Sequence, residues 1–171
     1  MRRSGLWVMA ILALMLSKTD ASAEAGLGTK AIVPFAGYSA GTIVIKTGER
    51  RLYYVMQDGR AMRYPIAVGK PGKAWEGMNT VARKEVNPVW SPPDDVRRDK
   101  PNLPALIPPG PSNPLGPRAM VLAWGEYAIH GTNKRSSIGT QASYGCIRMF
   151  NEDVVDLYDR VSVGTPVVVL R

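Results

Sequence analysis

Short runs of β-branched and aromatic residues, broken at turn-forming positions, constrain this chain more than any other feature. Thr42-Ile43-Val44-Ile45 and Arg51-Leu52-Tyr53-Tyr54-Val55 flank the polar stretch Lys46-Thr47-Gly48-Glu49-Arg50, and Gln57-Asp58-Gly59 precedes a third run over residues 61–68. Such runs, bounded by Gly- and Asp-containing breaks, read as strands joined by tight turns. They predict a β-meander, then strands over residues 80–86, 120–123 and 127–130 and a closing strand over 165–170.

One amphipathic segment stands apart. Val154, Leu157, Tyr158 and Val161 have the spacing of one helical face, and Glu152 and Asp153 complement a helix N-terminus. Asn151 is expected as the N-cap, and Gly164 lies just beyond the end. Strands are thus expected to dominate, with one clear helix after the lone cysteine. With 171 residues, 45% of them hydrophobic, the chain has material for one core but not for two domains plus an export signal.

Arg2 and Arg3 precede an apolar run over residues 5–16, and Ala21-Ser22-Ala23 offers small residues where a signal peptidase cuts. That run is shorter than the roughly 20 residues a membrane-spanning helix needs. The expectation is a signal peptide over 1–23, cleaved after Ala23, then an N-terminal arm or linker over 24–39 and one domain over 40–171. The mature chain is expected to be exported and to have no transmembrane segment. The full chain's formal charge of +8, about +6 without residues 1–23, is scattered rather than gathered into a basic stripe, so no nucleic-acid partner is expected. Anionic wall polymers or a membrane surface fit the basic balance, as does ordinary solubility.

Ten of the fourteen prolines lie between Asn87 and Pro117. A stretch this long between flanking strands is either functional or an insertion. Proline lowers the entropy lost on ordering such a loop, which suits a rigid wall or lid over a site.

The single histidine and the single cysteine fall in His130-Gly131-Thr132-Asn133 and Ser143-Tyr144-Gly145-Cys146-Ile147-Arg148. In an oxidising compartment structural cysteines come in pairs, so a lone one suggests intermolecular pairing or a reactive thiol, with a small buried hydrophobe as the plainer reading. One His and one Cys cannot supply the three or four ligands of a zinc site, and no metal is expected. A thiol with an imidazole to take its proton makes a nucleophile and base for acyl transfer. The amides of Gly145 and Cys146 are candidates for an oxyanion site. Ser143 is either a turn residue or a hydrogen-bonded tie for the loop. Arg148 offers either a planar fork for a substrate carboxylate or a structural tie. No side-chain carboxylate near His130 is evident, so a backbone carbonyl, with Gly131 nearest in sequence, is left to orient the ring.

These two segments and the helix after them resemble the catalytic signature of the bacterial L,D-transpeptidases, the YkuD-type catalytic domain. The resemblance covers about residues 40–171 and includes Tyr64-Pro65-Ile66-Ala67-Val68-Gly69, Asn113-Pro114-Leu115-Gly116 and Asp153-Val154-Val155-Asp156-Leu157-Tyr158. The Pro-rich stretch is similar to that of exported Gram-negative members, which implies a periplasmic protein of cell-wall organisation and cell shape. The resemblance implies a mainly β, β-sandwich-like fold with a helix near the catalytic loop, and a cysteine acyltransferase with Cys146 as nucleophile, His130 as base, Gly131 as the carbonyl orienting the ring, and the Gly145 and Cys146 amides as the oxyanion site. Ser143, Tyr144, Asn133 and Arg148 are the candidate substrate-binding residues. Peptidoglycan tetrapeptide stems are the implied donor. The acyl acceptor is an amine of another stem, giving a 3-to-3 crosslink, or a lysine of an outer-membrane protein. Transfer to water would instead make an L,D-carboxypeptidase. No cofactor is called for. Many members carry a second histidine where Tyr144 stands. Two other readings stay open: a different wall-peptide cysteine hydrolase, whose families usually place Cys before His, and a non-catalytic peptidoglycan-binding protein.

Overall fold

The computed structural model describes residues 28–171, so the expected signal peptide and its cleavage site lie outside the described residues. β1 (Ala31–Pro34) comes first, the expected meander then forms as β2 (Ile43–Lys46), β3 (Arg51–Val55) and β4 (Arg60–Gly69), and β5 (Gly77–Val86) follows. Asp58 and Gly59 have φ of 65° and 72°, the left-handed backbone that lets a two-residue turn follow the twist of β3 and β4. β1 falls within the expected arm and pairs with β4 from Ala31↔Arg63 to Pro34↔Arg60.

The remaining strands are β6 (Arg118–Leu122), β7 (Ala128–His130), β8 (Gln141–Ser143), β9 (Ile147–Met149) and β10 (Pro166–Leu170). β4, β3, β2, β10, β5, β6, β7 and β9 are neighbours in that order, and β9 pairs back onto β4. The mainly β expectation holds, and the faces expected of a sandwich are the two sides of one barrel-like sheet. Closure depends on β4 changing partners along its length. Its first half pairs with β1 as far as Arg63, and its second half pairs with β9 from Ile66. Pro65, which has no N–H to donate, falls in the gap between them.

Ile43, Ile45, Leu52, Tyr64, Ile66, Met120, Ile129, Met149 and Leu157 fill the interior. Val44, Tyr53, Val55 and Ala61 form a second cluster, with Val33 and Phe35 packed against it. β2 is thus buried on both faces, which explains its unbroken apolar run.

Two α-helices are described: α1 (Asp94–Asp99) and α2 (Asn151–Arg160). α2 buries Val154 and Leu157 against the sheet, as its periodicity predicts. Its cap differs from expectation. Phe150 is the N-cap residue, and Asn151 is the first helical residue. The Asn151 side chain instead accepts the Thr132 N–H through Oδ1 at 2.8 Å, because the His130-Gly131-Thr132 segment presents an otherwise unmet donor there.

The Pro-rich stretch is ordered. Trp90 and Ile107 pair across it, and α1 lies within it. Buried Asn113 holds its ends together, donating from Nδ2 to the carbonyls of Pro88 at 2.8 Å and of Ile107 and Pro108 at 3.1 Å.

Candidate active site

β7 and β9 are parallel neighbours, with Ile129 opposite Ile147 and His130 opposite Arg148. Ile129 and Ile147 point into the core. By strand alternation His130, Arg148 and Cys146, one step before β9, turn to the other face. The register therefore brings the expected base and nucleophile to adjacent strands.

His130 is 4% exposed. Its Nδ1 lies 2.7 Å from the Gly131 carbonyl oxygen. A carbonyl can only accept, so Nδ1 carries the proton and Nε2 keeps its lone pair. Gly131 thus sits where the resemblance places the ring-orienting carbonyl. Burial, and then the Arg148 cation, pull the His130 pKa down to about 4, against the opposing carbonyls of Gly131 and Pro114. Burial also pushes the Cys146 thiol up, against the Ala128 backbone and the Arg148 charge. Both shifts favour the uncharged thiol and the uncharged imidazole over the ion pair.

Cys146 is half-buried, with Sγ 4.0 Å from the Glu126 carbonyl. Its loop is tied from within. The Ser143 hydroxyl donates to the Cys146 carbonyl at 2.6 Å and accepts the Gly145 N–H at 3.1 Å. Ser143 is 1% exposed with its hydroxyl engaged in both senses, which is the loop tie expected as one of its two readings. The Gly145 N–H is bonded to Ser143, and the Cys146 N–H has no acceptor among the described residues. Gly145 has φ of 121°, and a Cβ there would run into the Tyr127 ring. Only glycine fits.

Tyr144 lines two clefts. On one side lies a cleft of about 390 Å³ that contains Cys146, Tyr127 and Lys73 and is closed by Pro93, Asp94 and Asp95 of the Pro-rich stretch. On the other side Arg148, Lys100 and Lys134 line an adjoining groove with no carboxylate among its lining residues. Arg148 Nε is buried and has no hydrogen-bond partner among the described residues. Asn133 reaches the groove rim and donates to the Ser112 carbonyl at 2.8 Å.

The Pro-rich wall is fastened by side chains. Asp95 pairs with Lys73. Asp99 pairs with Lys70 at 3.0 Å and accepts the Tyr144 hydroxyl at 2.5 Å, while Lys70 lies 3.8 Å over the Tyr144 ring. The Trp75 indole donates to the Gly145 carbonyl at 3.0 Å. Sequence reasoning missed Trp75, Tyr127 and these ion pairs, and gave Asn151 a capping role in place of its bond to Thr132. Trp75 is 70 residues from Gly145, and no local pattern marks such a contact. Among the described residues no group of His, Cys, Asp and Glu could hold a metal, and no helix is long and apolar enough to cross a membrane.

The fold is a closed, mainly β sheet that sets a tautomer-fixed histidine on β7 and a cleft-lining thiol just before the neighbouring β9. Residues 40–169 match the YkuD family, the L,D-transpeptidase catalytic domain, and the chain belongs to that family. The probable L,D-transpeptidase ErfK/SrfK of Escherichia coli is 40% identical over 137 residues, covering 75% of this chain and 43% of that protein. The chain thus spans less than half of that relative. A Brucella melitensis crystal structure, described as a probable carnitine operon oxidoreductase, is 45% identical, with TM-score 0.56, and covers 84% of this chain and 94% of that one. The structure of the Ldtfm-avibactam carbamoyl enzyme shares the fold at TM-score 0.62 and 21% identity, covering 78% of this chain and 50% of that one.

Proposed function

We propose that this domain is an exported peptidoglycan L,D-transpeptidase that works as a cysteine acyltransferase. The observation that carries the reading is the Gly131 carbonyl holding Nδ1–H of His130, which leaves Nε2 free one strand away from the only thiol. His130 Nε2 takes the thiol proton as Sγ bonds to the carbonyl carbon at the L-centre of the third stem residue. The carbonyl electron pair moves onto oxygen, facing the Cys146 N–H. Collapse breaks the C–N bond, and the D-Ala amine leaves with the proton from the imidazolium. An acceptor amine then attacks the thioester, forms the new amide and returns the proton to sulfur. A stem amine as acceptor gives a 3-to-3 crosslink, a lysine of an outer-membrane protein gives an anchored protein, and water gives an L,D-carboxypeptidase.

The groove lined by Arg148, Lys100 and Lys134 holds a carboxylate of a stem. Its support is the unpartnered Arg148 Nε and the lack of any acid along the groove. Tyr144 and Asn133 shape its rim.

The purified protein is incubated with a disaccharide-tetrapeptide, and products are read by mass, with Cys146→Ala as control. The expected product is a dimer lacking one D-Ala that depends on Cys146. Tripeptide alone would make water the acceptor, and an adduct surviving Cys146→Ala would rule out the mechanism.

A further inference from the structure

We propose that Trp75 is a positioning residue that aims the Cys146 amide at the developing oxyanion. The inference rests on the acyl-transfer reading of Cys146 and extends it to a residue outside the signature.

The peptide unit joining Gly145 to Cys146 is planar and trans, so its C=O and N–H point in opposite directions. Whatever holds the Gly145 oxygen therefore sets the direction of the Cys146 N–H. That holder is the buried Trp75 Nε1–H, 3.0 Å from the oxygen. Of the neighbouring polar groups, the Gly145 N–H and the Cys146 carbonyl are both taken by Ser143 Oγ. The Cys146 N–H has no acceptor among the described residues. It is thus a donor without an acceptor beside the nucleophile.

The loop needs a lock from outside itself. Position 145 requires glycine, yet glycine at this φ lets the following peptide turn over with little steric resistance. A turned peptide would present a carbonyl oxygen where a donor is needed, and repulsion would replace stabilisation of the oxyanion. Trp75 is itself held firmly. It stacks on Tyr127 with centroids 4.6 Å apart and planes 4° from parallel, and Trp124 meets it edge-on at 5.1 Å. Tyr127 in turn abuts Gly145. One aromatic cluster thus fixes both the position and the orientation of the catalytic peptide.

The test separates oxyanion chemistry from thiol presentation. Imipenem acylates a thiol through carbonyl addition and passes through an oxyanion. Iodoacetamide alkylates it by displacing iodide at saturated carbon, with no oxyanion. Trp75→Phe keeps an aromatic ring for stacking and loses the N–H. The expected result is an imipenem acylation rate lowered roughly 10- to 100-fold, on the scale of a misaligned oxyanion donor. The iodoacetamide rate and its pH profile should be unchanged, and the melting temperature should fall only modestly, from the lost ring volume and hydrogen bond, with the protein fully folded in the assay. Trp75→His, which keeps a ring N–H, should recover part of the imipenem rate. Equal slowing of both reagents, or no slowing with imipenem, would overturn the proposal. If Trp75→Phe does not fold, site-specific replacement of the indole by benzothiophene, which exchanges N–H for sulfur at nearly constant shape, is read the same way. Failure of imipenem to acylate the unaltered protein while iodoacetamide still alkylates Cys146 would instead sink the acyl-transfer reading.

Discussion

At the scale of single residues, the site rests on groups with one available role. Gly145 combines φ of 121° with a Tyr127 ring where a Cβ would sit. We expect Gly145→Ala to cost about 1–3 kcal/mol from backbone strain, more if the ring cannot move, and to abolish turnover; thermal melting and an acylation assay check both. Arg148 has a buried Nε with no partner among the described residues, so little folding energy should depend on its planar fork. Arg148→Lys is expected to keep the melting temperature and lower kcat/KM for a tetrapeptide roughly tenfold, as for loss of one charge-assisted hydrogen bond. A lower melting temperature with kcat/KM intact would mark a structural tie instead. His130 and Cys146 were legible because each is the only one of its kind. The roles of Ser143 and Gly145 were legible only in part, because which donor meets which acceptor depends on a loop conformation that residue identity does not fix.

At the scale of elements, α2 carries the clearest test of packing. Leu157 is fully buried between helix and sheet. Leu157→Ala should destabilise the domain by about 2–5 kcal/mol, measured by denaturant unfolding, while leaving the iodoacetamide reactivity of the folded protein unchanged. The apolar face of α2 and the meander strands were readable from periodicity alone. The N-cap was not, because Asn151 met a stronger demand from the Thr132 amide. β1 was hidden for a related reason. Four residues in β1, alternating between partly buried and exposed, give too short a pattern to separate from an arm, and only the open side of β4 makes them a strand. In the Pro-rich stretch, composition announced rigidity but not its means, which is the set of carbonyls gathered by Asn113.

At the scale of the whole molecule, two buried groups set opposing dependences on pH. His130 titrates near 4 when folded against 6.5 for the free group, chiefly through burial. The unfolded chain therefore binds the proton first, and stability falls as pH drops through that interval. Asp153 is pushed up to about 6 from 3.8, again chiefly by burial. Its contribution is present below 3.8 and is lost as pH rises towards 6. Asp153→Asn should leave a melting temperature that rises with pH between those values. His130→Gln should leave one that falls. Calorimetric scans across this range check both slopes, and parallel slopes in the two variants would contradict the assignment.

The wall over the thiol cleft is fastened to the barrel through Lys73–Asp95 and through Lys70 and Tyr144 on Asp99. Both ion pairs are open to water, where dissolved ions screen them. Salt should therefore loosen the side-chain fastening of the wall before it unsettles the barrel or the carbonyls gathered by Asn113. The expected outcome is a kcat/KM for a tetrapeptide that changes with ionic strength while the melting temperature barely moves.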